Sequence, residues 1–443
     1  MTDPAAIARF RVSPNDWTRQ RTLTFAVVVL LILQGHKQAF QNALNQLFSA
    51  LGKARKVPTA SALCQARGKL KPEFFVHLNG VVTQNFYQLP TADVTRNGQR
   101  DGTTESATDG AAVVWTWLGH RVLGVDGTRW NLPNTAAHRD YFGSATNQHD
   151  TVGCAQAHGS VLYDVLNDIG LNAVLEAAQA EKDLMFDHHL EHTRIGDLIV
   201  MDRGYADYSV LAFWMYHQRE VVVRLPRNSF KAVREFLRGP ADEVVVTLRV
   251  TPDQRAFVQE KKLPTTLRVR LVKLVLENGE IEVLATSLLD AERYDREALG
   301  QIYAWRWRVE TYLDRLKNIF EIERFGSVRR EHLQQDFYGV VFLATLESVL
   351  CRRANLELAE QSRRRGCRYT HQVNRAVSYS ALLGRTMVLL ADEKQSVEAT
   401  LEELRHLFKT NPIPRRPGRH FSHEPRTLSQ KLRHHRYAKR ALT

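Results

Sequence analysis

The chain has 443 residues and 44% apolar content, enough for two to four domains with a true core, which excludes disorder throughout. Lys and Arg number 61 against 48 Asp and Glu, a net charge of +13 that favours a polyanionic partner, nucleic acid before membrane. The four cysteines, Cys64, Cys154, Cys351 and Cys367, show neither C-x-x-C spacing nor a dense framework, so a reducing, cytoplasmic compartment is expected.

Residues 1–89 read as a helical N-terminal DNA-binding domain. The most apolar run, "TLTFAVVVLLILQ" (Thr22 to Gln34), is too short to span a bilayer and lacks a small-residue cleavage site, so it reads as a buried helix. The stretch from Pro58 to Phe75 has a Thr59/Ser61 start, a short basic amphipathic segment and a break at Pro72. It fits a DNA-reading helix and an ordinary helical cap equally well. Residues 90–112, apolar-poor and rich in Thr, Asp and Gly, read as a flexible linker.

From 113 the texture becomes α/β, and residues 113–224 form the first part of a catalytic core. "HRVLGVDGTRWNLP" gives a strand ending in Asp126 and the turn pair Asp126-Gly127, and "AQAHGSVLYDVLN" and "IGLNAVLEAA" supply two more strands. A helix follows around Glu181 to Thr193. "GDLIVMDRGY" then runs a buried strand into Asp202 and a turn at Gly204. Residues 225–289 interrupt with a β-rich insertion carrying the Asn278-Gly279 hairpin signal. Residues 290–330 complete the core, 331–411 form a C-terminal helical region, and 412–443 form a basic tail with nine basic residues against Glu424.

"YAWRWRVETYLDRLKN" (303–318) predicts one helix. At about 100° per residue, Tyr303, Arg306, Glu310 and Lys317 fall within an arc of roughly 60°, with Trp305, Val309, Tyr312, Leu316, Ile319 and Phe320 opposite. Alone, that pattern also fits a solvated face with an Arg306/Glu310 i,i+4 pair. Two strand carboxylates, Asp126 and Asp202, and the helix carboxylate Glu310 make a triad of hard oxygen ligands for two Mg²⁺ or Mn²⁺ ions. Phosphoryl transfer uses such a pair, one ion activating the attacking hydroxyl and one stabilising the leaving oxygen.

At these residues the chain resembles a known family. The pattern Tyr-x2-Arg-x3-Glu-x6-Lys at Tyr303, Arg306, Glu310 and Lys317, preceded by "VDGT" and "DRGY", resembles the bacterial insertion-sequence DDE transposases of the IS 4 (insertion sequence four) group over about residues 115 to 330. The resemblance implies a ribonuclease-H-like, retroviral-integrase-type α/β core with a β-rich insertion, flanked by helical regions. It implies that Asp126, Asp202 and Glu310 bind the ions and that Tyr303, Arg306 and Lys317 grip DNA phosphates. Arg203, beside Asp202, is a further phosphate-contact candidate. The implied reaction is metal-dependent cleavage at terminal inverted repeats of double-stranded DNA, then strand transfer into target DNA by the freed 3′-hydroxyl. A homodimer pairing the two ends, and no membrane partner, are implied with it.

Some members of the family pass through a DNA hairpin with the help of a Trp in the insertion. No Trp lies within 225–289 here, which leaves Phe230, Phe236 or Phe257 as stand-ins. Rival classes are a catalytically silent DNA-binding protein derived from a transposase, a tyrosine recombinase using His423, Arg426 and Tyr437, and a simple ribonuclease. "HHLEH" (His188 to His192) also fits the H-x-x-E-H zinc pattern, but in a connecting helix.

Overall fold

In the computed structural model, which describes residues 2–19, 21–35, 39–50, 54–94, 113–146, 153–177, 181–276, 278–391 and 396–416, α-helices precede the first strand: α1 (Pro4–Phe10), α2 (Phe25–Gly35), α3 (Phe40–Ala50), α4 (Ala60–Arg67) and α5 (Glu73–Phe86). Asp3 and Thr59 cap α1 and α4 by accepting backbone N–H bonds. α2 is the apolar run, and its residues from Val28 to Leu33 are all buried. Among the described residues no helix is long and apolar enough to cross a membrane.

The linker expected from 90 begins instead with a strand. β1 (Thr91–Val94) pairs in parallel with β2 (Val114–Trp117), because Ala92 and Val94 alternate inward while Asp93 accepts from the Thr116 hydroxyl and the Gly119 N–H. Residues 95–112 lie outside the described residues. The chain continues through β3 (Val122–Asn131), α6 (Ala136–Phe142), β4 (Ser144–Ala145), β5 (Cys154–Asp164), β6 (Ile169–Ala173), α7 (Glu181–His188), β7 (Leu198–Met201), α8 (Tyr208–Tyr216) and β8 (Glu220–Leu225). After these come α9 (Lys231–Arg238), β9 (Glu243–Arg249), α10 (Arg255–Glu260), β10 (Thr266–Val275) and β11 (Ile281–Thr286).

These strands build one mixed sheet in the order β4-β5-β3-β7-β8-β11-β10-β9, with β6 on β5. β3, β7 and β8 run parallel, whereas β8–β11, β11–β10 and β10–β9 are antiparallel. The segment 225–289 supplies the antiparallel half of this sheet. Its strands extend the sheet, since β11 pairs along β8 and covers an edge that would otherwise leave main-chain groups unpaired. The hairpin at Asn278-Gly279 forms as expected, with Gly279 at φ 79°.

The single helix expected over 303–318 is two: α11 (Arg296–Trp305) and α12 (Trp307–Asn318). At the junction the Arg306 N–H bonds to the Tyr303 carbonyl and the Val309 N–H to the Arg306 carbonyl, i→i+3 bonds that tighten the turn. The C-terminal helices are α13 (Arg330–Arg364), α14 (Arg375–Ala391) and α15 (Val397–Phe408). Residues 417–443, which hold most of the basic tail with His423, Arg426 and Tyr437, lie outside the described residues.

The chain divides into two compact units, one of Met1–Phe86, Trp130–Gln156 and Asp314–Thr443, the other of Tyr87–Arg129 and Ala157–Leu313. In the first, N- and C-terminal helices share a core rather than forming separate modules. Arg67 of α4, fully buried, donates to Asp336 Oδ1 at 2.7 Å, Gln335 Oε1 at 3.0 Å and the His332 carbonyl at 2.8 Å. Gln335 returns bonds to the carbonyls of Arg67 and Leu70. Arg67 is thus withdrawn from any DNA-reading face, which favours the cap role for this part of α4. Cys351 is fully buried beside Glu347, which also meets Arg375 and Ser378.

Candidate active site

The second unit carries the three candidate carboxylates. In the parallel pair β3–β7, Val122 faces Leu198, Leu123 faces Ile199 and Gly124 faces Val200. Asp126 and Asp202 each follow the last paired residues, Gly124 and Val200, by two positions, so both carboxylates come from the same end of the parallel pair. Asp126-Gly127 is not the turn expected from the sequence, because β3 runs on to Asn131. Gly127 serves a close approach instead: a Cβ there would overlap the Glu181 side chain at Cγ, Cδ and Oε1. Asp202 leaves β7 and caps the 3₁₀ turn Arg203–Tyr205, its Oδ1 accepting the Gly204 N–H at 2.7 Å. Arg203 itself is exposed.

Glu310 comes from the first turn of α12, and Gly124 explains its place. A Cβ on Gly124 would overlap Val309 Cγ2, so the helix rests directly on β3 two residues before Asp126. Tyr312 stacks on Tyr163, centroids 4.5 Å apart and planes at 17°, and Arg308 donates to the Val165 carbonyl at 2.7 Å. These contacts fix the helix along and about its axis.

The electrostatics follow from the crowding. Burial pushes the Asp126 carboxyl up to about 7, helped by the charges of Asp202, Glu181 and Glu310 and opposed by Arg306. Arg306 is 5% exposed and bridges to Glu310 at 2.8 Å, its guanidinium 4.9 Å from the Trp307 ring centroid and its Nε buried without a partner. Among the described residues no three Asp, Glu, His or Cys side chains converge closely enough to hold a cation as placed. The carboxylates interact across electrostatic rather than ligating distances, and Glu310 is occupied by Arg306. As a donor set they are all hard oxygen with excess negative charge, the chemistry that suits a divalent cation of the Mg²⁺ or Mn²⁺ kind.

The four residues of the 303–318 pattern are not presented together on a solvated face. Tyr303, 7% exposed, lies in the last turn of α11 with its hydroxyl pushed up by burial, and Arg306 sits in the break. Lys317 belongs to the other unit, its ammonium 5.0 Å from the Trp130 ring centroid and 4.0 Å from Glu323.

Behind Asp126 runs a buried relay that the sequence did not announce. The Ser160 hydroxyl donates to the Asp126 carbonyl at 3.4 Å, and His189 Nε2 lies 2.9 Å from that hydroxyl. Asn172 meets His189 Nδ1 at 3.2 Å, so Nδ1 accepts and Nε2 donates to Ser160. Burial pushes His189 down to about 3, which keeps it neutral. This disposes of the zinc pattern in "HHLEH": α7 ends at His188, His189 turns inward, and a 3₁₀ turn carries Leu190–His192. Of the insertion aromatics, Phe230 and Phe236 are buried and Phe257 packs 4.9 Å from Phe186. None of these three stands ready to trap a flipped base.

The model of the transposase DDE domain matches residues 117–346. The transposase InsG for insertion sequence element IS4 of Escherichia coli (strain K12) is 22% identical over 441 residues, covering 97% of this chain and 90% of that protein. Among solved structures, a synaptic complex of the piggyBac transposase with hairpin DNA aligns with 71% of this chain at 10% identity. This chain covers 62% of that one at a TM-score of 0.33, too low to bear on the fold.

Proposed function

We propose a catalytic centre for this chain, which belongs to the DDE transposase family and is a DNA-cleaving transposase of the IS4 kind: Asp126, Asp202 and Glu310 are its metal-binding carboxylates. The observation that carries the assignment is the packing of Val309 onto Gly124, which sets Glu310 against the parallel pair β3 and β7, the first carrying Asp126 and the second leading into Asp202. The family uses divalent ions. Two Mg²⁺ or Mn²⁺ ions fit this donor set and, when bound, would activate the attacking oxygen and stabilise the leaving one. Arg306 then exchanges Glu310 for a phosphate oxygen, its unpartnered Nε offering a second arm for a forked contact. Tyr303 adds a neutral donor and Arg203 an exposed charge, and Lys317 is a further phosphate-contact candidate.

The substrates are the terminal inverted repeats of the element and its target DNA. Ribonuclease-H-like topology is the reading that the parallel strands β3, β7 and β8 support. A homodimer holding two ends, and work in the cytoplasm, complete the proposal. Labelled DNA bearing the repeats that flank the gene tests it. Nicks at the repeat tips with Mg²⁺, absent with Ca²⁺ and lost in Glu310→Gln, are expected. Specific binding without cutting in Mg²⁺ or Mn²⁺ would leave a DNA-binding relic instead.

A further inference from the structure

β9 (Glu243–Arg249) is the last strand of the nine-stranded sheet and pairs with β10 on one side only. The Val250 N–H bonds to the Thr265 carbonyl at 3.0 Å, and the Lys273 N–H to the Asp242 carbonyl at 2.8 Å. In an antiparallel ladder such bonds recur at every second residue, so the even-numbered residues of β9 point their N–H and C=O groups at β10. Those of Glu243, Val245, Thr247 and Arg249 point outward, and among the described residues no other strand pairs with them. The side chains do little to protect this edge. Val244 and Val245 are 37% and 42% exposed, and the strand contains neither proline nor lysine, the residues that commonly blunt an edge.

The strand is also complementary to itself. About a two-fold axis through Val246, a second β9 running antiparallel sets Val245 opposite Thr247, Val244 opposite Leu248 and Glu243 opposite Arg249. This register joins outward-facing residues to outward-facing residues, as the ladder requires, and uses all 7 positions. The end charges match as well. Glu243 meets Arg270 through Oε2, leaving Oε1 for a second cation, and the exposed Arg249 guanidinium meets no carboxylate among the described residues. With the axis moved to Val245 or to Thr247, Arg249 faces Ala241 or Val245 instead, and the match is lost.

We propose that β9 is a homodimer interface, where two copies of this chain join edge to edge and continue one sheet from chain to chain. The inference gives a surface to the homodimer proposed above and rests on that reading. β8, β11 and β10 lie between β9 and β7, so the carboxylates of each copy stay clear of the junction.

Cysteine placement tests the register. Across the axis the two Val246 residues form a non-hydrogen-bonded pair with Cα atoms about 4.5 Å apart, within disulfide reach. In a Cys367→Ser background, which removes the exposed native thiol, Val246→Cys is expected to give a covalent dimer under mild oxidation, with and without repeat DNA. Thr247→Cys, which faces Val245 rather than its own copy, should not. Sedimentation of the full chain supplies the second readout. Arg249→Glu sets like charges together twice across the axis and should weaken dimerisation about tenfold, and Val245→Lys should weaken it at least as much. Circular dichroism checks that each variant keeps its fold. Dimers of wild-type strength in both variants, with no disulfide in Val246→Cys, would overturn the β9 interface and leave the homodimer standing. A wild-type chain that is monomeric with and without repeat DNA would overturn both.

Discussion

Gly124→Ala is the smallest change that should separate the helix carboxylate from the strand carboxylates. The new Cβ would lie much closer than 3.0 Å to Val309 Cγ2 and 3.3 Å from Val165 Cγ1, with Val309 Cβ at 3.6 Å. Both valines sit in the packed interior, so the helix rather than a rotamer must give way, and overpacking of this kind costs about 1–3 kcal/mol. A shift of about 1 Å in Glu310 would lower cleavage on the order of a hundredfold. Val309→Ala removes the offending methyls and leaves a small void. Added to Gly124→Ala, it should restore part of both stability and cutting. Urea unfolding and single-turnover nicking of the four proteins in the cycle measure this. The double variant should be more stable than the sum of the single effects by about 1–2 kcal/mol. Additivity within about 0.5 kcal/mol, or a Gly124→Ala protein that cuts like wild type, would refute the close-packing argument.

Three other outcomes follow from named contacts. Arg67→Ala leaves Asp336 buried and uncompensated and should cost about 3–5 kcal/mol in urea unfolding, whereas Arg67→Met with Asp336→Leu should recover most of it. His189 is depressed to about 3 in the fold against 6.5 ordinarily, so the unfolded chain binds more protons between those values. His189 should therefore contribute about 1.4 kcal/mol per pH unit to the loss of stability as pH drops below 6.5, beside His332, which burial also pushes down to about 3, and the slope in unfolding curves of His189→Gln at pH 7.5, 6.5 and 5.5 should be smaller by about that amount. Arg306→Ala frees Glu310 from its ion pair. It should bind Mn²⁺ no more weakly than wild type, while the salt dependence of DNA binding, read by titrations at several salt concentrations, should drop by about one phosphate contact.

Local pattern carried much of this. Alternation and apolar runs place β3, β5, β7 and β8, and the Asn-Gly signal places the β10–β11 hairpin, because strand faces and turn residues are written within a few positions. The helix over 303–318 was legible as helix, but its break was not. The bonds at Arg306 reflect how Val309 and Tyr312 dock on β3 and β5, which no periodicity contains. The union of Arg67 with Gln335 and Asp336 spans more than 260 residues and is likewise invisible locally. Glu181 marks only the start of the helix expected around Glu181 to Thr193, and its approach to β3 is not written in its neighbours. The signal that was available lay elsewhere, in Gly127, read as a turn residue when it is a strand glycine kept bare for a neighbour.

The most direct test of the metal assignment uses the softness of sulfur. Asp202→Cys exchanges a hard ligand for one that Mn²⁺ tolerates far better than Mg²⁺. Repeat-tip cleavage by this variant, compared with wild type in each metal, should be lost in Mg²⁺ and partly restored in Mn²⁺. Undiminished cutting by Asp202→Cys in Mg²⁺ would contradict the account, because Asp202 would then hold no ion that the reaction needs.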